Sequence, residues 1–277
     1  MNTIVTHIFP DLDAITSTWL LVRFMPGFED ATIAFTPQQK DWNGVKPDSD
    51  PTIVYVDTGF GKFDHHQVNE RISATRRVFD YLVVEDTIPR RIKQALERIV
   101  TFVTDIDNFG EIHFPDPSND RYDFCIHQII SGMKRTGKTD DQLVLAVFPL
   151  LDGLVELFAT KIKAEAEVKK GFVFTSAYGK CIAMNTPNDE AMRLAQKMGY
   201  TLVVTYDPQK STARIKTIPS DAYDLTPVYE KIKKVDKKGY WYLHILKNML
   251  LNGSSRTPEA APTSLSLQQL IAIIKEV

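Results

Sequence analysis

The first half of the chain alternates short apolar runs with segments whose apolar residues recur at helical spacing. Residues 3–6 and 54–56 are β-rich runs typical of buried strands. Pro10 breaks the chain after the first run, and residues 14–24 then follow a helical pattern. Strands that alternate with helices in this way predict an α/β fold built on a parallel sheet.

The pattern changes near residue 170. Residues 140–170 predict one long amphipathic helix with Pro149 inside it. Beyond it the predicted strands are 172–175, 181–184, 201–206 and 211–218, and the predicted helices are 189–198 and 267–275, the last opened by a Ser266–Gln269 capping box. We therefore expect an N-terminal domain over 1–139, a connecting helix over 140–170 and a smaller α+β domain over 171–277.

Histidine and acidic residues gather directly after the two N-terminal apolar runs. A lone histidine after a strand is usually structural, and Asp13 alone can be a helix N-cap. Several such residues in order, each at a strand end, favour a metal site instead, since ligands collect beyond the carboxyl ends of parallel strands. Imidazole and carboxylate suit Mn, Fe, Zn or Co, and paired metals hydrolyse phosphate esters. The residues concerned are His7, Asp11, Asp13, Asp57, Asp64, His65 and His66.

These residues resemble motifs I to III of the DHH phosphoesterase superfamily, which includes RecJ-like exonucleases, nanoRNases and, as relatives, family II pyrophosphatases. The similarity is carried by His7-Ile-Phe-Pro-Asp11-Leu-Asp13, by Val56-Asp57 and by Asp64-His65-His66. The short step from Asp57 to Asp64, with Gln67 after the triplet, is closest to the compact melanocyte-proliferating-gene-like branch. The resemblance implies a parallel-sheet DHH metal domain, joined by a helix to a smaller α+β domain that closes over the substrate.

The resemblance also implies a ligand set and a mechanism. One divalent metal would be held by His7, Asp11 and Asp57, and the other by Asp13, Asp57, His65 and Asp107, with Asp57 bridging. A hydroxide activated by the two metals would attack phosphorus, and His66 would contact the phosphoryl oxygens. Asp57 and His66 are therefore the expected catalytic residues. Mn²⁺ is the metal expected on family grounds, and the sequence leaves Mg²⁺, Co²⁺ and Fe open.

The fourth motif of the superfamily is a further aspartate, and two positions compete for it. An apolar stripe after Pro89 predicts a helix that ends near Asp107-Asn108. Asp107 lies four residues after Val103 and so borders the inward stripe, whereas Asp105 lies nearer the Thr101 side. We take Asp107 as the ligand and keep Asp105 as the alternative. Either can also be an acid at a helix end that faces water.

The smaller domain carries a candidate substrate site. Asn252, Gly253 and Ser254 form a polar turn whose amides and hydroxyls can bind phosphate, and His244 and Lys247 would add charge-assisted contacts. The alternative interpretation is a Gly-containing turn after an amphipathic helix, with Trp241 in the core.

Composition restricts the classes of protein further. The formal net charge of −2 argues against strong non-specific binding to nucleic acid. Two cysteines without metal-ligand spacing in 277 residues are typical of a reduced cytoplasmic protein. The longest apolar run, residues 143–159, is interrupted by Pro149, Asp152 and Glu156, so we expect no membrane association.

The sequence therefore predicts a metal-dependent phosphohydrolase, foremost a phosphodiesterase or exonuclease on nucleotides or short oligonucleotides. A pyrophosphatase or exopolyphosphatase acting on phosphoanhydrides is the nearest alternative. A non-catalytic nucleotide-binding regulatory protein is another, although such a protein should have lost a motif residue. A purely structural metal site fits poorly, because those sites are closed and usually sulfur-rich. The oligomeric state stays open, with a homodimer as one form.

Overall fold

The computed structural model describes residues 1–253 and 259–277. The chain divides into two compact units, Met1–Ala159 and Thr160–Val277, and the boundary falls within one long helix.

A three-stranded parallel sheet organises the first unit. Its central strand is β1 (Thr3–His7), which pairs with β2 (Thr32–Thr36) on one side and with β3 (Ile53–Tyr55) on the other. Because all three strands run in the same direction, the residues that follow β1 and β3 emerge at one edge of the sheet. The predicted α/β fold with a parallel sheet is confirmed, whereas β2 was not foreseen from the sequence.

Helices pack around this sheet. The first, α1, is buried at every position from Leu12 to Leu21, because its apolar residues and small hydroxyl residues fill the layer against the sheet and the other helices. The Trp19 indole donates to Asp152 at 2.9 Å, which secures α1 to the fifth helix. The helices of this unit are α1 (Leu12–Phe24), α2 (Ala74–Val84), α3 (Arg90–Asp107), α4 (Ile126–Lys134) and the first part of α5 (Asp140–Lys169).

Helix α5 corrects one expectation from the sequence. Its 30 residues are long and apolar enough to cross a membrane by length and composition, although 33% of its most apolar stretch is buried. The interruptions at Asp152 and Glu156 add too little charge to change that outcome. The core helix of a soluble protein satisfies the same criterion, so one such helix is weak evidence for a membrane span. Leu143, Val147 and Leu151 are buried, whereas Leu145, Leu150 and Leu157 are exposed.

The second unit is built on a six-stranded sheet of order β4-β5-β6-β7-β9-β8, in which β5 and β6 are parallel and the other pairs antiparallel. The predicted capping box is present, since the Ser266 hydroxyl accepts from the Gln269 amide and the Gln269 side chain accepts from the Ser266 amide. The elements are β4 (Phe172–Ser176), β5 (Gly179–Asn185), α6 (Asp189–Lys197), β6 (Leu202–Asp207), β7 (Thr212–Thr217), α7 (Thr226–Val235), β8 (Trp241–Leu243), β9 (Met249–Asn252) and α8 (Leu267–Lys275).

The segment from Trp241 to Asn252 is a β-hairpin, not the amphipathic helix considered from the sequence. Strand β9 pairs with both β7 and β8, and Trp241 lies opposite Asn252. Trp241 is buried, as expected, and its indole donates to the Asp236 carboxylate at 2.8 Å. Lys247 takes the left-handed backbone conformation in the connecting turn, with φ of 56°.

Candidate metal centre

Strand β1 and helix α1 deliver the first three site residues. His7 is the last residue of β1, and the loop then turns into α1. Asp11 is the N-cap of α1, because its Oδ1 accepts from the amides of Asp13 at 3.0 Å and Ala14 at 3.1 Å. The sequence had left the capping role open for Asp13, and the structure assigns it to Asp11. Capping fixes the Asp11 side chain through one oxygen.

Asp13 is buried and is held by the start of a second helix. The amides of Ala74 and Thr75, in the first turn of α2, donate to its two carboxylate oxygens at 2.7 Å and 2.8 Å. The Thr75 hydroxyl adds a bond to the Asp13 carbonyl at 3.1 Å. Helix N-termini attract carboxylates in this way because their amides lack intrahelical partners. Sequence reading missed this role of α2, since some 60 residues separate the partners.

Asp57 follows β3 and lies between two histidines. Its backbone has a left-handed φ of 53°, which Asp tolerates better than most residues. The Oδ2 atom lies 3.3 Å from His7 Nε2, and the Oδ1 atom lies 3.3 Å from His65 Nε2. One buried carboxylate therefore has an oxygen directed at each histidine.

His65 brings the remaining acids into the same cluster. Its Nε2 lies 3.7 Å from Asp13 Oδ2 and 3.5 Å from Asp107 Oδ2. Asp107 is the last residue of α3, at the helix end that the sequence indicated. Asp105 instead pairs with Arg71 at 2.5 Å. The structure thus brings Asp107, and not Asp105, to His65.

The third residue of the triplet, His66, is oriented by the first. Asp64 is buried, and its Oδ1 lies 2.6 Å from His66 Nδ1 while its Oδ2 accepts from the Phe60 amide at 2.6 Å. On the other side of the ring, Gln38 Nε2 lies 3.3 Å from His66 Nε2. Sequence reading assigned no role to Asp64 or Gln38. A buried carboxylate beside a histidine fixes the imidazole tautomer. The position of Asp64 directly before His65 and His66 was the feature of the sequence that could have indicated this role.

The pKa values of the cluster reflect burial and the close packing of unlike charges. Burial lowers the pKa of His7, but the contact with Asp57 and its charge outweigh that effect and raise the pKa to about 9. The contact with Asp57 likewise raises the pKa of His65 to about 9, against burial and with help from the charges of Asp107 and Asp13. Burial raises the pKa of Asp107 to about 6, although His65 opposes the shift. The carboxylates thus create a negative potential that favours positive charge among them.

The ligand atoms fit divalent cations by geometry and by chemistry. Asp57 Oδ1 and His65 Nε2 are buried, lie 3.3 Å from each other and make no other hydrogen bond among the described residues. A carboxylate oxygen and an imidazole nitrogen that face each other in this way can both turn to a cation placed between them. The sets whose ligand atoms lie within 4.8 Å of one another are His7, Asp11 and Asp57; Asp13, His65 and Asp107; and Asp57, His65 and His66.

The substrate contacts expected in the second unit lie around the β8–β9 hairpin. Asn252 is a buried structural group, because its amide donates to the carbonyls of Tyr240 and Ala261 and its oxygen accepts from the Thr263 amide. These bonds use the side chain of Asn252 within the fold, and its contact with a substrate stays a prediction. Lys247 is exposed and pairs with Asp224 at 3.1 Å.

The other expected substrate contacts are His244, Gly253 and Ser254. His244 lies at the start of the turn, and its Nδ1 accepts from the Leu246 amide at 3.2 Å. Gly253 has φ of 77° and packs closely on Thr212, so it serves the turn. Ser254 lies outside the described residues.

The fold and the centre define an α/β protein with a cluster of carboxylates and imidazoles, suited to divalent metal, at one edge of its parallel sheet. The chain belongs to the family described as "ChrB, C-terminal domain", whose model matches residues 4–158. That match covers nearly the whole first unit, which contains every residue of the candidate centre. No curated protein matches the chain.

Solved structures similar to this chain include proteins named for RecJ and for a DHH domain. RecJ from Thermus thermophilus in complex with Mg²⁺ is 13% identical, with a TM-score of 0.33 over 99% of this chain and 49% of that one. A DHH domain described as a member of the s1p family of ribosomal proteins is 11% identical, with a TM-score of 0.32 over 99% of this chain and 86% of that one. Exonuclease RecJ bound to manganese is 14% identical, with a TM-score of 0.31 over 99% of this chain and 89% of that one.

The chain spans about half the length of the Thermus thermophilus RecJ. At TM-scores near 0.3 these likenesses carry no argument about function. The assignment to the melanocyte-proliferating-gene-like branch is not confirmed by the comparisons.

Proposed function

We propose that this protein is a metal-dependent phosphohydrolase that holds two divalent cations in its first unit. The observation that carries the proposal is the position of Asp57. Its two carboxylate oxygens each lie 3.3 Å from a different histidine, and each histidine belongs to a separate set of ligand atoms. A buried carboxylate in that position suits a bridge between two cations.

We assign the ligands to two cations as the DHH resemblance implies. His7, Asp11 and Asp57 would hold one cation, and Asp13, Asp57, His65 and Asp107 the other. Bound divalent cations neutralise phosphoryl charge and make water a competent nucleophile near neutral pH. The mixed imidazole and carboxylate donors suit Mn²⁺, which we propose as the metal, and they do not exclude Mg²⁺ or Co²⁺.

His66 would act on the substrate more than on the metals. Asp64 holds Nδ1 at 2.6 Å and so fixes the plane of the ring. The Nε2 atom, beside Gln38, faces away from Asp64, and in the imidazolium form of the ring it would donate to a phosphoryl oxygen as its charge develops. His66 also lies within ligand reach of Asp57 and His65, so metal content and turnover must be measured separately.

We propose a phosphoester of a nucleotide or short oligonucleotide as the substrate, on the strength of the DHH-like motifs. A phosphoanhydride such as pyrophosphate is the second candidate, because the same cluster would neutralise its charge. A non-catalytic nucleotide-binding protein is disfavoured, because all of the motif ligands are present and lie together. The cytoplasmic location expected from the two cysteines stays part of this proposal.

Asp57→Asn tests the bridge. Asparagine is isosteric with aspartate and accepts the left-handed backbone of this position, so the fold should persist. We expect the variant to bind fewer Mn²⁺ ions per chain and to lose turnover by at least about a hundredfold, because one negative charge leaves the space between two cations. Asp105→Asn is the matched control and should retain both properties.

The assay is a panel of a dinucleotide, a nucleoside bisphosphate, a cyclic dinucleotide and pyrophosphate, each with Mn²⁺. Turnover of the dinucleotide supports the phosphodiesterase, and turnover of pyrophosphate alone supports the second candidate. An Asp57→Asn variant that keeps activity within a few-fold of wild type would contradict the two-cation mechanism.

A further inference from the structure

The second unit contains a cavity of about 700 Å³. Its described lining residues come from the end of α5, from β4 and β5 and from α8, and all of them belong to the second unit. Cavities of about 300–1,000 Å³ are typical of small-molecule sites. The cavity shares no residue with the candidate metal centre, so its chemistry must be derived from its own walls.

The first wall is the end of strand β5. The antiparallel pairing of β4 with β5 stops where Phe172 lies opposite Ala183. Met184 and Asn185 extend β5 by two residues and pair only with β6, on their other side. The chain enters β4 through Gly171, where an added side chain would collide with β5. The end of β5 is therefore left without a strand on its β4 side, and Met184 and Asn185 line the cavity there.

The second wall is one side of helix α8. Its lining residues, at positions 267, 268, 271, 272 and 275, recur at the spacing of a single helix face. Leu267 and Ile271 are buried, as are Ala183 and Met184 of β5, so the inner surface of the cavity is apolar. Ala272 is exposed and adds only a methyl group to this wall.

Two ammonium groups lie on the exposed side of the cavity. Lys170 and Lys275 are exposed, and within residues 1–253 and 259–277 neither forms an ion pair. The Glu167 carboxylate also lines the cavity, but it already accepts a hydrogen bond from the Asn188 amide at 3.0 Å. Two lysines against one glutamate give the lining a net positive charge. Lysines at helix ends also complement the helix dipole, but that role requires no cavity.

An aromatic ring lies beside one of these ammonium groups. Lys275 Nζ lies 5.6 Å from the centroid of the Phe172 ring and 5.7 Å from that of Phe174. The two rings are stacked with their centroids 6.1 Å apart. Phe174 is buried, whereas Phe172 is 54% exposed and lines the cavity. Positive charge and open apolar surface are thus neighbours in one cavity.

We propose that this cavity binds a small organic anion that carries an apolar body. The body lies against Phe172, Met184 and Ile271, where it removes apolar surface from water. The anionic group lies beside Lys170 and Lys275, whose ammonium groups form charge-assisted hydrogen bonds with carboxylate, phosphate or sulfonate. A neutral apolar molecule would leave the ammonium groups without a partner, and an inorganic anion would leave the apolar wall uncovered. The proposal is independent of the phosphohydrolase, because it uses none of the metal ligands.

Two matched dyes test the proposal on the full chain. Anilinonaphthalene sulfonate and phenylnaphthylamine share one aromatic body, and only the first carries an anionic group. Fluorescence titration with each dye gives its affinity, with and without Mn²⁺. We expect saturable binding of both dyes that does not depend on Mn²⁺, because the metal centre contributes no residue to the cavity.

Three variants divide the contribution of charge from that of the apolar wall. Lys170→Met and Lys275→Met remove an ammonium group and keep an apolar stem, so each should weaken binding of the sulfonate dye by about threefold or more and leave the neutral dye unchanged. Lys169→Met removes the same charge from an exposed neighbour that does not line the cavity, and it should change neither affinity. Ala272→Phe places a ring in the cavity from an exposed position and should weaken both dyes by about tenfold or more. Lys169→Phe is its control and should weaken neither.

Five results would overturn the proposal. The first is the absence of saturable dye binding to wild type, and the second is a requirement for Mn²⁺, which would place the sulfonate at the metal centre. The third is an equal loss of both dyes in the two Lys→Met variants, which would give the lysines a packing role. The fourth is an equal loss of sulfonate affinity in Lys169→Met, which would show attraction to the general charge of the surface. The fifth is unchanged binding in Ala272→Phe variants that unfold at the wild-type temperature, which would place the dyes elsewhere.

Discussion

Asp107→Asn separates a role in metal binding from a role in folding. The Oδ2 atom of Asp107 lies 3.5 Å from His65 Nε2, in a side chain that is 16% exposed. Two unit charges 4 Å apart interact by about 4 kcal/mol at an effective dielectric constant of 20. If half of that survives solvent screening, removing the charge costs about 2 kcal/mol of cation binding, or about 30-fold in affinity.

The control is Asp105→Asn on the same helix. Asp105 is 41% exposed and is paired with Arg71, so its charge is already neutralised and its loss should change Mn²⁺ affinity by less than about threefold. Titration of metal-free protein with Mn²⁺ by calorimetry gives both affinities, and metal content after desalting gives the number of sites. The metal-free Asp107→Asn variant should unfold at a temperature no lower than wild type, because burial and the nearby acids disfavour the ionised carboxylate. A larger loss in Asp105→Asn, or two tight Mn²⁺ sites in Asp107→Asn, would refute this assignment.

Three further variants probe other parts of the molecule. Asp64→Asn should lower kcat about 10- to 100-fold at constant metal content, because the neutral amide accepts a weaker hydrogen bond from His66 than the carboxylate does. Loss of metal in this variant would instead show that Asp64 supports the metal ligands. Asp236→Asn should destabilise the second unit by about 2 kcal/mol at pH 7, because hydrogen bonds from Thr263 and neighbouring groups outweigh burial and lower the Asp236 pKa to about 2. That stability is fully present above about pH 4, the unfolded value, and is lost as the pH falls through about 2, so unfolding curves of variant and wild type should converge there. His244→Ala should lower kcat/KM on a nucleotide without changing metal content and should matter less for a small phosphodiester; equal losses on both would assign His244 to the fold.

The clustering of the candidate ligands could be predicted, because several of them follow strands whose ends meet at one sheet edge. His7 and Asp57 each come directly after an apolar run, and parallel pairing of β1 with β3 then brings them together. The choice of Asp107 over Asp105 came from helical spacing, and the structure places Asp107 beside His65. The apolar pattern along the chain thus predicted contacts between residues distant in sequence, because it located the ends of the strands and helices that an α/β fold brings together.

The hairpin of β8 and β9 could not be predicted in the same way. Residues 241–252 are dense in large apolar side chains, which suit a buried helix as well as a strand. Pairing of β9 with β7 decides the outcome, and that partner lies some 35 residues earlier. The turn also lacks the usual marker, because Lys247 occupies the left-handed position that Gly or Asn would normally indicate.

The hydrogen bonds from the first turn of α2 to Asp13 link the stability of that helix end to cation binding at the centre. The amides of Ala74 and Thr75 donate to the carboxylate that is proposed to hold a cation, so opening of this helix end releases a ligand. Local opening equilibria set the rate at which backbone amides exchange their protons for deuterium. Cation binding should therefore slow exchange at these two amides more than at the far end of α2, and chelation should restore it. These two amide protons, some 60 residues from Asp13 in sequence, would then report whether the cluster holds a cation, in the intact protein and without any substrate.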